Sequence, residues 1–316
     1  MTVTFVSGGT GTPKLLDGAL DVWREFDVVV NTADDVFVSG NLVCPDVDTV
    51  MYTLAGEIDR ERWWGRDGDV HRTHEALTAD GVDVDRVEAV RRLGRGRSFG
   101  GRGEFMRIGD LDRATHVYRT SALDAGASLT KATAETADWL GVPAAVDVLP
   151  MSDDPVSTYV EAPEGEMHFQ EWWIARDAAP RVDDVEFRGA GDAAPTSEAV
   201  EALDGDVVIG PSNPVTSVGP LLALDGVEER LKDSWVVAVS PFVEGDVVSG
   251  PAGRLMKAVG LEASSAGVYD AYSDFVDVFV VDGEDVDADV EVVDTDTVID
   301  GPGDAARLCR EIDSLL

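Results

Sequence analysis

Short, uninterrupted runs of apolar residues recur along this chain, and most are followed by a loop rich in glycine, proline and small polar residues. Uninterrupted runs predict strands that are covered on both faces, as in a parallel sheet. The segments between the runs are long enough for helices. This pattern predicts an α/β fold with a doubly wound, mainly parallel, Rossmann-like sheet. The predicted strands lie near residues 3–6, 27–31, 145–149, 207–210, 235–240 and 276–281.

The helical part of the pattern is concentrated in one region. Residues from about 50 to 140 are interpreted as an inserted, mainly helical layer. No linker divides the chain, so we expect residues 1–316 to form one domain. Within the layer, Arg91–Gly103 is rich in glycine and arginine, and we favour a flexible surface loop there over a lid that gathers anions. Helices are predicted near 13–24, Met51–Arg62, Leu129–Leu140 and Asp304–Leu315.

Net charge limits the possible partners. The chain has 62 acidic and 25 basic residues, a net charge of −37, and only four of the basic residues are lysines. Such a surface repels nucleic acid and anionic lipid, so neither is expected as a partner. We interpret it as the solvated acidic surface of a halophile's protein, because concentrated salt screens the self-repulsion. We therefore expect the protein to lose structure in dilute buffer.

The remaining composition points to the cytoplasm. No apolar run approaches the roughly 18 to 20 residues of a membrane helix, and the N-terminal residues show no signal-peptide pattern. Cys44 and Cys309 lie far apart in the sequence and fit neither a metal cluster nor a disulfide framework. This cysteine usage agrees with a reducing compartment.

The first predicted strand leads directly into a glycine-rich loop, Gly8-Gly9-Thr10-Gly11, followed by Thr12-Pro13-Lys14. Glycines leave backbone N–H groups free to surround a phosphate. Thr12 is predicted as the N-cap of a helix and Pro13 as its first residue, which would direct the helix N-terminus at the loop. The loop matches neither the P-loop nor the G-x-G-x-x-G pattern. A phosphate site is predicted, with a tight turn that binds nothing as the alternative.

Polar residues follow other predicted strands. Asp46 and Asp48, with Asp34 and Asp35 nearby, are candidates for holding Mg²⁺, and we expect Asp46 and Asp48 on one side of an extended segment. The equal alternative to a metal site is that these aspartates belong to an ordinary solvated acidic surface. Ser212-Asn213-Pro214 is a candidate for contacts to a base or ribose, or a turn stiffened by proline.

The segment Met106–His116 is a further cluster. Arg107 and Arg113 suit phosphate binding, and Asp110 and Asp112 are placed to orient such groups or a hydroxyl. His116 is a candidate base, although a lone histidine is more often structural. Hydrolase and zinc-enzyme patterns such as G-x-S-x-G and H-E-x-x-H are absent from the sequence.

Several motifs together resemble a known family, the 2-phospho-L-lactate transferases of deazaflavin coenzyme F-420 biosynthesis. They occur in order along nearly the whole chain. The matching segments are Ser7–Leu16, Asn31–Asp35, Ser39–Leu42, Pro45–Thr49, Gly109–His116, Met151–Thr158, Gly210–Ser217 and Ser249–Gly253.

The resemblance implies an activity and a set of partners. A 2-phospholactyl or phosphoenolpyruvyl group would pass from a guanosine diphosphate-activated donor to the hydroxyl of the deazaflavin Fo, releasing GMP, with Mg²⁺ as cofactor. A homodimer is also expected. The alternatives are a non-catalytic nucleotide-sugar-binding regulator of the same fold and, third, a dehydrogenase, against which the absent G-x-G-x-x-G counts.

The resemblance also implies roles for individual residues. Asp48 and Arg107 would contact the deazaflavin, with Asp48 acting on the metal or on the attacking hydroxyl. Asp46 and Asp48 would hold the metal. The nucleotide and its phosphates would bind to Gly8, Gly9, Thr10, Gly11, Thr12, Lys14, Ser212, Asn213 and Pro214.

Overall fold

The computed structural model describes residues 2–79, 104–248 and 250–316, together with the backbone of three short strands between 91 and 102. The predictions made for Arg91–Gly103, and for Ser249 in its motif, lie outside the described side chains. The strands are β1 Val3–Ser7, β2 Phe26–Val30, β3 Val36–Val38, β4 Asn41–Val43, β5 Arg91–Leu93, β6 Arg97–Phe99, β7 Gly101–Arg102, β8 Val146–Pro150, β9 Ser157–Glu161, β10 Met167–His168, β11 Asp184–Arg188, β12 Asp206–Ile209, β13 Trp235–Val239, β14 Phe242–Val243, β15 Asp246–Val247, β16 Val278–Val281 and β17 Glu291–Asp294.

The helices surround this set of strands. Two of the helical segments, Glu171–Ala175 and Pro214–Val218, are π-helices. Among the described residues, none of the helices combines the length and hydrophobicity that crossing a bilayer demands. The α-helices are α1 Gly11–Leu16, α2 Pro45–Leu54, α3 Arg72–Leu77, α4 Asp110–Asp124, α5 Leu129–Leu140, α6 Ser197–Ala202, α7 Gly219–Leu222, α8 Val227–Lys232, α9 Ala252–Ala258, α10 Ser265–Tyr272 and α11 Pro302–Asp313.

Seven of the described strands form a parallel central sheet in the order β17-β16-β13-β12-β1-β2-β8. This arrangement confirms the predicted doubly wound α/β fold, and each of the six predicted strands is present within two residues of its expected bounds. The sequence pattern did not predict β17, because Glu291–Asp294 lies at the sheet edge and has charged residues at both ends.

The strand order reverses between β1 and β12. From β1 the chain adds β2 and β8 on one side, and it then returns to the other side of β1 with β12, β13, β16 and β17. Val6 of β1 pairs with Ile209 of β12, so the loops that follow these two strands emerge side by side. Ligands of doubly wound sheets bind at such a switch point, outside the carboxyl ends of the strands.

Both faces of the central sheet are buried, as the apolar runs predicted. Alternate residues of one strand enter different cores: Phe5 packs with Val28 and Val208 on one face, and Val6 packs with Val29 on the other. Helices α1, α2, α5 and α11 contribute side chains to the first core, and α6, α8 and α10 to the second. The sheet is therefore a rigid base for the loops at its edge.

Four local predictions were wrong. The helix predicted at Met51–Arg62 is α2, which begins at Pro45 and ends at Leu54. Helix α1 begins at Gly11 rather than Pro13, so Thr10 and not Thr12 occupies the N-cap. It ends at Leu16, well before residue 24, and Gly18 lies where a side chain would collide with the backbone of α11. Asp46 and Asp48 lie in the first turn of α2 and not in an extended segment, because Pro45 begins that helix.

The region between 50 and 140 contains helices α3, α4 and α5 in its described part, in addition to the C-terminal half of α2. Short strands accompany them: β3 pairs with β4 and with β7, and β5 pairs with β6. Helix α4 packs on β4 and on α5, so the layer covers the loop region that follows β2.

Candidate active site

The glycine-rich loop after β1 packs directly against the loop after β12. Gly9 has a φ of +62°, which favours glycine. A Cβ on Gly8 would lie 2.7 Å from Ser217, and one on Gly11 would overlap the carbonyl oxygen of Pro211. Only glycine fits at Gly8 and Gly11 because the two loops are in backbone contact.

Two hydroxyl groups hold these loops together. Ser212 Oγ donates to the carbonyl oxygen of Gly8 at 2.7 Å and accepts from the backbone N–H of Thr12 at 3.2 Å. The Thr12 and Ser212 hydroxyls also lie 2.7 Å apart. The structure thus places Thr12 underneath the loop, where it is buried and fixes the loop's shape.

The loops at the switch point border a cavity of about 470 Å³, within the range of small-molecule sites. Its lining includes most of the predicted phosphate and nucleotide residues. Thr12, Pro214, Asp48 and Arg107 are not part of the lining. The predicted residues that line it are Gly8, Gly9, Thr10, Gly11, Lys14, Asp46, Ser212 and Asn213.

Lys14 provides a cation in this cavity. Its ammonium group lies 5.6 Å from the centre of the Trp63 ring. The ion pairs among the described residues do not include it, whereas Lys131 and Lys232 are paired with glutamates. In a chain with a net charge of −37, a cavity-lining lysine without a carboxylate partner is available to an anionic ligand.

Two carboxylates, Asp34 and Asp46, lie side by side at the same cavity. Asp46 accepts hydrogen bonds from Asn31 Nδ2 at 2.8 Å and from the backbone N–H of Gly9. Burial raises the pKa of Asp46 to about 6 in spite of these bonds. Burial raises the pKa of Asp34 as well, and the neighbouring Asp46 raises it further. Asp34 Oδ1 has no hydrogen-bond partner among the described residues, so this pair of oxygen donors fits a hard cation such as Mg²⁺.

Asp48 points in a different direction. Its carboxylate accepts from Arg119, whose Nη1 lies 3.1 Å from Oδ2, while Nη2 pairs with Oδ1. His116 Nε2 lies 3.1 Å from Asp48 Oδ2 and 3.2 Å from Asp112 Oδ1. These four buried residues, Asp48, Asp112, His116 and Arg119, form a cluster that we call the α2–α4 charge cluster.

The cluster's pKa shifts describe an ion-pair network. Burial opposes the charged forms of Asp48, His116 and Arg119, but Arg119 and His116 hold the pKa of Asp48 below its ordinary value. Asp112 and Asp48 raise the pKa of His116 to about 9 against the effect of burial. His116 is therefore an imidazolium at neutral pH, which favours a structural role over that of a base. Two carboxylates and an imidazole also suit a metal, but Arg119 already bonds both oxygens of Asp48.

Arg107 lies exposed beside the cavity. It borders a smaller hollow together with Arg66 and His71, and Arg62 and Trp64 line both this hollow and the cavity. Burial lowers the pKa of His71, and the positive charges of Arg107 and Arg62 lower it further. Three arginines therefore lie in this hollow beside the cavity, and Asp69 and Asp112 line it with them. Arg62 and Arg66 are paired with Asp59 and Glu57.

Sequence reasoning missed the apolar wall of the cavity. Phe169, Trp173, Ile174 and Val248 line it. Trp173 and Ile174 belong to the π-helix Glu171–Ala175, a rare element with no recognisable sequence signature. Apolar residues of this kind are indistinguishable from core residues until the fold is known.

Comparison with known proteins identifies the family. The family model described as 2-phospho-L-lactate transferase CofD matches residues 3–300. The 2-phospho-L-lactate transferase of Haloarcula marismortui is 52% identical over 328 residues, covering 99% of this chain and 98% of that protein. The protein of the same name from Halobacterium salinarum is 51% identical, and the match covers 97% of this chain and 95% of that protein. The one from Methanosarcina barkeri is 49% identical, and the match covers 88% of this chain and 84% of that protein.

A solved structure is similar in fold. It is the crystal structure of a member of the UPF0052 family from Bacillus halodurans, with a TM-score of 0.59, 19% identity and 98% coverage of both chains. At this identity the likeness concerns the fold alone. Because the family model matches nearly the whole chain and relatives of about half identity share the name, the chain belongs to the 2-phospho-L-lactate transferase family and is a transferase enzyme.

Proposed function

We propose that the enzyme transfers a 2-phospholactyl or phosphoenolpyruvyl group from a guanosine diphosphate-activated donor to the hydroxyl of the deazaflavin Fo, a step of coenzyme F-420 biosynthesis. The observation that supports this most strongly is one cavity in which a glycine loop and Lys14 face the carboxylates of Asp34 and Asp46. The loop and the lysine suit a diphosphate. The relatives' shared name favours catalysis over a nucleotide-sugar-binding regulator.

The position of the two carboxylates supports a metal cofactor. A diphosphate on the glycine loop would lie close to Asp34 and Asp46 and would be repelled by them. A divalent cation held by these carboxylates would reduce this repulsion, and Mg²⁺ is commonly bound by one or two carboxylates and substrate phosphates. We therefore propose that Asp34 and Asp46 hold Mg²⁺, which would neutralise phosphate charge. Asp34 replaces Asp48 in this proposal because Asp48 is bonded to Arg119 and His116.

The reaction is a substitution at phosphorus. The Fo hydroxyl oxygen forms a bond to the phosphorus that bears the lactate or enolpyruvate, the bond from that phosphorus to the bridging oxygen breaks, and GMP leaves with the bridging oxygen. The hydroxyl proton is released. Lys14 and the glycine-loop backbone bind the departing phosphate, and the chain acts by positioning and charge stabilisation.

The two deazaflavin residues have different places in this scheme. Arg107, exposed beside the cavity, contributes to binding the acceptor. Asp48 supports α2 through the α2–α4 charge cluster and so fixes Asp46, which lies two residues earlier on the same helix. Asp48 is thus a positioning residue.

The test is an assay of GMP release. Purified protein in molar KCl with Mg²⁺, Fo and guanylyl-phospholactate is analysed by mass spectrometry, and each substrate is omitted in turn. We expect GMP only when Fo is present, together with an equal amount of the Fo phosphodiester. A folded sample that forms no product with either the lactyl or the enolpyruvyl donor would contradict the proposal and favour the regulator.

A further inference from the structure

Three aromatic side chains form a stack that ends at the cavity. The Phe169 and Trp172 rings are 5.8 Å apart and inclined by 30°, and the Trp172 and Trp173 rings are 6.2 Å apart and inclined by 32°. Trp172 is fully buried, whereas Trp173 is 39% exposed and lines the cavity. Among the described residues, Trp172 is the only aromatic ring in contact with Trp173. Trp173 therefore exposes part of its indole to the cavity.

The inner part of the stack is held firmly. Trp172 Nε1 donates to the carbonyl oxygen of Pro180 at 2.9 Å. The Arg254 guanidinium lies 5.1 Å from the Trp172 ring centre and donates to the carbonyl oxygens of Pro180 and Ala178. These contacts fix the indole against which Trp173 packs, so Trp173 is positioned before a ligand arrives.

Other exposed apolar side chains line the cavity together with Trp173. Ile174 and Val248 also line the cavity, with 37% and 53% of their surface exposed. A group of exposed large apolar side chains at a cavity is typical of a ligand-binding surface. The charged residues of the cavity come from a different part of the chain, between Lys14 and Arg62.

We propose that Trp173 stacks on the purine ring of the donor nucleotide, with Ile174 and Val248 beside the ring; this rests on the proposed function. Helix α9 contacts both the Pro214–Val218 segment beside the glycine loop and, through Arg254, the Trp172 ring, so the stack lies near the proposed phosphate site. The cavity-lining residues Arg62 and Trp64 then remain for the acceptor. Because the deazaflavin is flat as well, the test compares both rings.

The experiment measures equilibrium binding by titration calorimetry in molar KCl with Mg²⁺, with GMP and Fo as separate ligands. Trp173→Ala is compared with Trp173→Phe and with Trp139→Ala, which removes a 55% exposed indole on α5 outside the cavity. Loss of base stacking should weaken GMP binding by about tenfold or more in Trp173→Ala. Trp173→Phe should retain most of the affinity for GMP, and Trp139→Ala should bind GMP as tightly as wild type does. Binding of Fo should be unchanged in all three variants.

The outcomes separate the two proposals. If wild-type protein binds GMP and a folded Trp173→Ala variant binds it with the same affinity, the inference about Trp173 is overturned and the proposed function is not. Weaker Fo binding with unchanged GMP binding would assign the stack to the acceptor and overturn the nucleobase assignment. Wild-type protein that binds neither GMP nor Fo would overturn the proposed function and this inference together. Circular dichroism of each variant checks that it is folded.

Discussion

At the scale of single residues, Asp46 and Asp48 show how secondary structure decides a side chain's partners. In an extended segment, residues two apart point to the same side, whereas in a helix they point to nearly opposite sides. Because Pro45 begins α2, Asp46 reaches the cavity and Asp48 reaches Arg119. The sequence identified both carboxylates as candidates for the metal site but could not show that only one of them reaches the cavity. Which one does so depends on the residue at which α2 begins.

This separation predicts different effects of two neutral substitutions. Asp46→Asn should lower kcat by on the order of a hundredfold and weaken the response to Mg²⁺, because a charge facing the phosphates is lost. Asp48→Asn should lower the free energy of unfolding by about 3 kcal/mol, because Arg119 remains buried without its partner. Steady-state kinetics over a Mg²⁺ series and urea unfolding in molar KCl measure these effects.

The matched control is Asp225→Asn, because Asp225 is exposed on the connection before α8. It should alter neither kcat and its response to Mg²⁺ nor the free energy of unfolding. Wild-type kcat and Mg²⁺ dependence in Asp46→Asn would remove Asp46 from the metal site.

At the scale of elements, the α2–α4 charge cluster joins two helices through a buried imidazolium. The raised pKa of His116, about 9, means that the folded state binds this proton more tightly than the unfolded chain, where the ordinary pKa is about 6.5. The resulting stabilisation is complete below pH 6.5 and is lost as the pH rises through 9.

The expected result is a stability that falls between pH 6 and pH 9 by up to about 3 kcal/mol from this group. Urea unfolding at both pH values in molar KCl measures it. His116→Gln should be less stable than wild type at pH 6, and the loss between the two pH values should be smaller in the variant. An equal pH dependence in both proteins would show that His116 is not protonated in the fold.

Elements also limit what a sequence pattern can reveal. The buried strands and α5 were predicted closely because uninterrupted apolar runs and a Ser128 cap with Gly141 at the other end are local signals. The π-helix Glu171–Ala175 and the small sheet of β9, β10 and β11 were not predicted. Their shapes depend on packing against distant parts of the chain, so the apolar wall of the cavity was missed with them.

At the scale of the whole molecule, the net charge of −37 opposes compaction. The Debye length is about 10 Å at 0.1 M salt and about 3 Å at 1 M. Repulsion between surface carboxylates is therefore screened only in concentrated salt. Lys14 is an exception within this surface, because it lines the cavity beside the point where the sheet order reverses and has no ion-pair partner among the described residues.

We expect the protein to lose its folded circular dichroism spectrum in 20 mM KCl and to keep it in 2 M KCl. The same comparison in 20 mM KCl with added sucrose is a control for effects other than charge screening. Identical folded spectra at both salt concentrations would rule out the interpretation of the surface as a halophilic adaptation.

The strand order itself has a consequence for motion. The glycine loop after β1 and the loop that fixes it after β12 are about two hundred positions apart in the chain, joined by the Thr12–Ser212 and Gly8–Ser212 hydrogen bonds. Fluctuations that separate β1 from β12 would pull apart two loops that line the cavity. A ligand that spans both loops opposes this opening, so amide protons on both strands should become protected from solvent exchange together.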